Sequence, residues 1–524
     1  VYRFNARVTH PAISEGFRMR SILLSLSVLL GIAGALHAQT VPLTILHYND
    51  FHAQNVPTTL TLKNADGIDE RVKVGGLAVL KAYIDAVRDT TASVLLLHAG
   101  DDFQGTPVSS ITQGRSQFVL LELMQPDAMT LGNHEFDYGI EQLRTLLPTV
   151  TFPIISANLW DKARGTPFVP RYRVMRVGGL TVGIIGLAPP DLPTLTMREN
   201  VRDLDVIEPA IAVRQAKGEL EQRFGANVIV VLSHMGVDQD SLLAAAVGDI
   251  DVIVGGHSHT ALQTPMRVNG ALIVQAGYRG QFLGKLDMQV DAAKGIVVRA
   301  NGVLLPTRVD GVTPDPVVAQ KVAEFEALVD EGLKEIIGTL KGDWLRNEFG
   351  ESALGNWQAD VMLDFAKADV AFQNNGGIRK DLTAGPISLR DMWEISPFGN
   401  EFVTFTVTGA QLRGMLLHQA ARTKEFCQVS GVRYRYDFTR GGDAALEATV
   451  HGAPIDPARR YTVVTNSYVA GHAWEVFGLP QSAIDPQPVL PAHVDRDVFI
   501  DAVRAQRSIT PALEQRITFI GERP

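Results

Sequence analysis

The chain has 524 residues, 46% of them hydrophobic and 20% charged, enough to bury more than one core and too apolar for a disordered protein. Its formal charge of −9 excludes a general binder of nucleic-acid polymers, whose phosphates demand a basic face. A single cysteine, Cys427, excludes an internal disulfide framework and any thiolate metal cluster.

Met19 and Arg20 precede "SILLSLSVLLGIAGALHA", a short apolar run ending in small residues. This pattern predicts translation from Met19 and a secretory signal peptide cut after Ala38, so that residues 1–38 are an upstream extension plus signal. The run is too short and poorly flanked for a membrane span, so no stable membrane insertion is expected. No cysteine follows the cut, which argues against a lipoprotein anchor. An exported chain without disulfides points to a periplasmic or secreted location.

From Val41 to about Leu305, apolar strands alternate with polar loops and helices. The strands are "LTIL" before His47, "SVLLL" before His98, "AMTL" before Gly132, "NVIVVL" before Ser233, "DVIV" before Gly255 and "ALIV" before Gln275. "LAVLKAYIDAVR" between the first two has helical periodicity. Continuous apolar strands alternating with helices indicate an α/β domain, residues 41–305, whose sheets are covered on their faces. Residues 314–340 have the pattern of a long charged amphipathic helix, the connector within a linker at 306–340. A second α/β domain is expected over 341–524, with strands "VAFQ", "EFVTFTV" and "YTVVTN".

Polar clusters follow the first-domain strands almost at once: "HYNDFH" (47–52), "HAGDD" (98–102), "GNHEFD" (132–137), "SHM" (233–235) and "GGHSH" (255–259). In open α/β sheets the carboxyl ends of strands converge on a crevice, so these side chains should meet. Any one cluster alone reads better as a turn, a cap or a satisfied core polar group than as a ligand site. Five in register after five strands do not. Asp, His and Asn without Cys describe a site for one or two borderline-hard divalent metals.

The order of these motifs resembles the calcineurin-like metallophosphoesterases and, more narrowly, the 5′-nucleotidase and UDP-sugar hydrolase family. The resemblance extends to "GNWQAD" (355–360), "QNNGGIR" (373–379), "SPFGNEF" (396–402) and "GVRYRYD" (431–437). It implies a metallophosphoesterase sandwich of two mixed sheets flanked by helices, a long linker helix, and a C-terminal α/β substrate-binding domain. It also implies two divalent metal ions, of which Zn, Mn, Co and Fe all suit the ligands. One would be held by Asp50, His52, Asp101 and His259, the other by Asp101, Asn133, His234 and His257. His134 would face the phosphoryl group under attack, with Asp137 fixing its tautomer. His47, His98 and Asp102 match no ligand position, and Glu135 is expected to be a solvated neighbour. No protein nucleophile is needed, because metals in such a site activate water.

In the second domain the resemblance implies that Arg379 binds phosphate and that Asn374 and Gly377 line the nucleoside site. Phe398 and Tyr468 would sandwich the base. At "AGHAWEVFG" (470–478) the chain departs from the family's Gly-Gly-Asp-Gly-aromatic, whose Asp holds the ribose hydroxyls. Glu475 could replace that Asp, Trp474 could add stacking surface, or no ribose is bound. The expected partner is a small nucleotide, or a nucleotide sugar. Alternatives are another phosphate or sulfate-type ester, or a non-catalytic binding protein of the same fold. Oligomeric state is open.

Overall fold

The computed structural model describes residues 40–521 apart from 64–66, 348, 422–425 and 491–492, so the expected signal peptide lies outside the described residues. In the first half, two six-stranded sheets pack face to face. The first runs in the order Ile296–Pro306, Phe282–Asp291, Thr40–Tyr48, Val94–His98, Ala128–Thr130, Ile154–Ile155, parallel from Thr40–Tyr48 onward and antiparallel before it. The second runs Met266–Val268, Ala271–Val274, Val252–Val254, Val228–Ser233, Leu180–Leu187, Tyr172–Val177, with its four central strands parallel.

Side-chain alternation along these strands explains the sandwich. Leu43, Ile45, Leu95 and Leu97 face inward and meet Val182, Ile184, Val230 and Val252 of the other sheet. Leu46 and Leu96 face outward onto Leu77, Leu80 and Ile84 of the helix Leu77–Arg88, which coincides with the predicted segment. Ile229, Val231 and Ile253 do the same beneath the helix Pro209–Phe224. Burial on both faces is why these strands read as unbroken apolar runs.

The connecting helix begins at Pro316, with Asp315 accepting the Val318 N–H as its cap, and ends at Leu333. It is shorter than the expected 314–340. Residues Ile336–Leu340 are instead a strand, antiparallel to Gly385–Ser388 and parallel to Ser508–Ile509. The β-branched pair Ile336–Ile337 followed by Gly338 disfavours further helix, and a ready sheet edge takes the segment up.

The second half is built on a five-stranded sheet in the order Cys427–Ser430, Val370–Asn374, Arg460–Asn466, Phe402–Thr408, Gln487–Pro488. Leu354, Ala359 and Met362 of the helix Ala353–Ala366 cover one face, against Ala371, Phe402 and Val464. Leu412, Met415 and Leu416 of the helix Gly409–Ala421 cover the other, against Val370, Phe372 and Val463. Among the described residues, no sheet mixes strands ending by Pro306 with strands starting at Ile336 or later. No helix among the described residues is long and apolar enough to cross a membrane.

Candidate active site

Five parallel strands end at Tyr48, His98, Thr130, Ser233 and Val254, and the turns after them carry the expected ligands. Three overlapping sets of donor atoms form there, each within 4.8 Å: Asp50, His52 and His259; Asp101, His234 and His257; and His52, Asp101 and His134. The first two correspond to the two expected metal positions. The third brings Asp101 within reach of His52 as well.

The donor set fits a cation on physical grounds. His234 gives its Nδ1 proton to the Ala99 carbonyl at 2.6 Å, which leaves a lone pair on Nε2. That lone pair lies 3.0 Å from the Asp101 carboxylate without an acceptable hydrogen bond, an arrangement stable only with positive charge between or on them. Burial would lower the His234 pKa, but the charges of Asp101 and Asp50 outweigh it and lift it to about 10, so this lone pair takes a proton wherever it does not hold a cation. Asn133 Oδ1, likewise buried, has no hydrogen-bond partner among the described residues. The backbone is strained at the same place. Asp50, His52, Asp101, His257 and His259 have φ of 49°, 50°, 59°, 70° and 54°, the left-handed region that only a small share of non-glycine residues occupy. Gly132 is required by the close approach of two loops, since a Cβ there would stand 2.1 Å from Asp101 Oδ1.

Glu135 is not solvated, contrary to expectation. It is 1% exposed, and its carboxylate accepts the backbone N–H groups of Asp101 (3.0 Å), Asp102 (2.7 Å), Phe103 (3.4 Å) and Gly132 (2.7 Å). One carboxylate therefore ties the Asp101 loop to the Asn133 turn. The remaining clusters have structural partners. His98 stacks on Tyr48 and contacts Asp102 at 3.2 Å, and Asp102 accepts from Gln117. His47 lies inside its strand, where burial pushes its pKa down to about 3 and keeps it neutral.

His134 Nδ1–H donates to Asp137 Oδ2 at 2.8 Å, and its own backbone N–H donates to Asp101 Oδ1 at 2.9 Å. Burial works against the imidazolium, but Asp137 and then Asp101 raise its pKa above the usual histidine value. The ring thus holds its proton more readily than a free histidine does, and it lines the cavity between the two halves.

The second half reaches the same place. Phe398 lies 5.9 Å from His134 with the ring planes 25° apart, and the Arg379 guanidinium sits 5.8 Å above Phe398. Arg379 also donates to Gln104 of the first half at 3.4 Å. Burial and the nearby Arg279 and Arg346 bring its pKa down to about 10. Asn374 accepts from Asn466, and Gly377 is needed there because a Cβ would stand 2.9 Å from Asn374 Oδ1. Phe398, Tyr468, Arg379, Asn374, Gly377 and His134 line one cavity of about 250 Å³, and a 900 Å³ cleft opens beyond the histidines toward Arg279 and Arg346.

No residue of the departure at 470–478 lines the 250 Å³ cavity, although His472, Glu475 and Val476 line the wider cleft. Glu475 pairs with Arg198 of the first half at 3.3 Å, and Trp474 is 61% exposed. The Tyr468 hydroxyl donates to the Thr194 carbonyl at 3.2 Å, and its ring packs on His472. Leu195, Thr196 and Met197 from the first half complete the wall. Sequence reasoning passed over Arg279 and Gln104. Arg279 follows the strand Ala271–Val274, so the rule that found the histidines also points to it.

A family model for the calcineurin-like phosphoesterases matches residues 43–261, and one for the 5′-nucleotidase C-terminal domain matches 336–478. Rat 5′-nucleotidase is 30% identical over 95% of this chain and 94% of its own length. The chain belongs to the 5′-nucleotidase family. The crystal structure of a 5′-nucleotidase precursor from Thermus thermophilus superposes with a TM-score of 0.83 at 31% identity, covering 92% of this chain and 100% of that one. Endonuclease YhcR of Bacillus subtilis is 30% identical over 84% of this chain, but the match spans only 38% of that protein. As a member of the 5′-nucleotidase family with a calcineurin-like domain, the protein is a metal-dependent phosphoester hydrolase.

Proposed function

We propose that the protein releases phosphate from nucleoside 5′-monophosphates, with two divalent cations held by Asp50, His52, Asp101 and His259 and by Asp101, Asn133, His234 and His257. The observation that carries this reading is the 250 Å³ cavity, in which His134 of one domain and Arg379, Phe398 and Tyr468 of the other enclose a single space. Bound cations supply an activated water and polarise the phosphoryl oxygens. Arg379 holds the phosphate by its fork of donors. His134 stabilises charge developing on the phosphoryl group and passes the Nε2 proton to the leaving oxygen, while Asp137 keeps the other nitrogen protonated. Phe398 and Tyr468 offer apolar faces to a base. The wider cleft gives a nucleotide sugar room, and the signal-like segment before Gln39 favours export.

A second reading, hydrolysis of another phosphate or sulfate-type ester, is favoured by one observation. Glu475, the nearest carboxylate to replace the ribose-binding Asp, is held by Arg198 instead. Phosphate or sulfate release from AMP, dAMP, a nucleotide sugar, glycerol 2-phosphate and an aryl sulfate tests both. The first reading requires kcat/KM for AMP to exceed that for the esters lacking a base, with little difference between AMP and dAMP. Equal efficiency across the panel favours the second.

A further inference from the structure

Phe398 is carried by the loop between the helix Leu389–Ile395 and the strand Phe402–Thr408, and a loop must be held in place to present a ring accurately. The start of one distant helix, Asp495–Gln506, grips it from below. The Asp495 N–H donates to the Asn400 carbonyl at 2.7 Å, and Val494 bridges to Glu401. Arg496 takes the other end. It is 7% exposed, and Nη1 points at the carbonyl oxygens of Ser396 (3.3 Å) and Pro397 (3.5 Å), the two residues just before Phe398. Its guanidinium lies flat on Trp393, with Cζ 3.4 Å from the ring centroid.

A buried guanidinium is costly, and this one is incompletely satisfied: Nε has no hydrogen-bond partner among the described residues. An apolar side chain would fill the space more cheaply, so the charge calls for a reason. Trp393 supplies the context. Together with Phe325 it packs against Val108, Val329 and Leu333, and Arg390 of the same short helix pairs with Glu326 and Asp330 at 2.8 Å each. Arg496 therefore sits between the Phe398 loop and a surface fixed to the connecting helix.

We propose that Arg496 is a positioning residue for substrate recognition: wedged between Trp393 and the carbonyls of Ser396 and Pro397, it sets the height at which Phe398 meets a nucleobase. The proposal rests on the reading that Phe398 stacks on the base. Aromatic and guanidinium planes stack well, whereas a lysine ammonium could reach the two carbonyls but would forgo that stacking. A misplacement of about 1 Å is enough to spoil a recognition contact.

The test measures adenosine affinity by calorimetry on the metal-loaded protein, together with KM and kcat for AMP, in Arg496→Met, Arg496→Lys, Phe398→Ala and the Arg496→Met/Phe398→Ala double variant. Arg496→Met is expected to weaken adenosine binding and raise the KM for AMP by about 5- to 30-fold, part of the full worth of a stacked base, with kcat and metal content within about twofold. Arg496→Lys recovers part of the loss. Because Arg496 acts through Phe398, the double variant binds adenosine no more weakly than Phe398→Ala alone. Additive losses, or normal adenosine binding in Arg496→Met when Phe398→Ala binds poorly, overturn the proposal. Normal adenosine binding in Phe398→Ala overturns the stacking reading itself, and this proposal with it. If Arg496→Met melts below the assay temperature, the same cycle is run with Arg496→Lys.

Discussion

The ring of Phe398, in the second domain, lies 5.9 Å from that of His134, in the first, with only 25° between their planes. The two domains thus meet directly at the candidate site. The proposed hydrolysis requires the domains to close over the substrate, and product release requires them to part again.

That alternation can be stopped. Arg198 and Glu475 face each other across the domains at 3.3 Å, and the natural Cys427 is 1% exposed, so a cysteine pair introduced at those two positions reacts selectively with a short bis-methanethiosulfonate linker, which a reducing agent removes. The linked protein should keep its metal but lose multiple turnover by about 10-fold or more, since release limits many such enzymes. Full steady-state activity in the linked form, measured beside the reduced variant, rules out the opening step.

Asp101 and His134 should separate metal binding from chemistry. Asp101 belongs to two of the three donor sets, so Asp101→Ala is expected to abolish activity and lower metal content. His134→Ala should retain metal and lower kcat by about 10²- to 10⁴-fold, the range for a positioned acid or charge-stabilising group. Elemental analysis beside AMP turnover checks both, and normal turnover in the His134 variant refutes its assigned role.

Glu135 contacts four backbone N–H groups and lines neither cavity. Removing it leaves those donors buried and unpaired, at about 1–3 kcal/mol each before relaxation. Glu135→Ala should therefore lower the melting temperature and weaken metal retention against a chelator. Glu135→Gln, which keeps one accepting oxygen, should fall between that variant and the wild type. A melting curve and chelator resistance equal to wild type in Glu135→Ala contradict the clasp.

Asp495 gives a pH signature. Burial lifts its carboxyl to about 7, above the ordinary 3.8. A carboxyl raised by folding stays protonated in the native state while the unfolded chain ionises, so the native state loses stability as pH climbs from about 4 to about 7. Asp495→Asn removes this slope. Its stability relative to wild type should grow across that window by up to a few kcal/mol and level off above it. Melting temperatures of the two proteins from pH 4 to 8 test this, and parallel curves refute it.

The convergence of the candidate ligands was legible because apolar runs ending in His, Asp and Asn mark strand ends, and parallel strands bring their ends to one side. The helix Leu77–Arg88 was legible from its period. Glu135 was not, because its partners are backbone N–H groups of a loop some thirty residues away, and any sequence supplies those. The strand Ile336–Leu340 was hidden by an apolar pattern that suits helix or strand alike, and only the edge offered by Gly385–Ser388 decided it. The fate of Glu475 depended on Arg198, a residue of the other domain, and no local pattern announces such a partner.

No sheet among the described residues exchanges strands between the two halves, and all seven expected ligands precede residue 260. Each half can therefore complete its own hydrogen-bonded ladders before meeting the other. Cation affinity is therefore expected to need the first half alone, and hydrolysis to need the second docked on it, a step that takes milliseconds to minutes in multidomain chains. In a refolding experiment the ions would be captured first and turnover would return later. A chain halted between the two events would be fully loaded and silent.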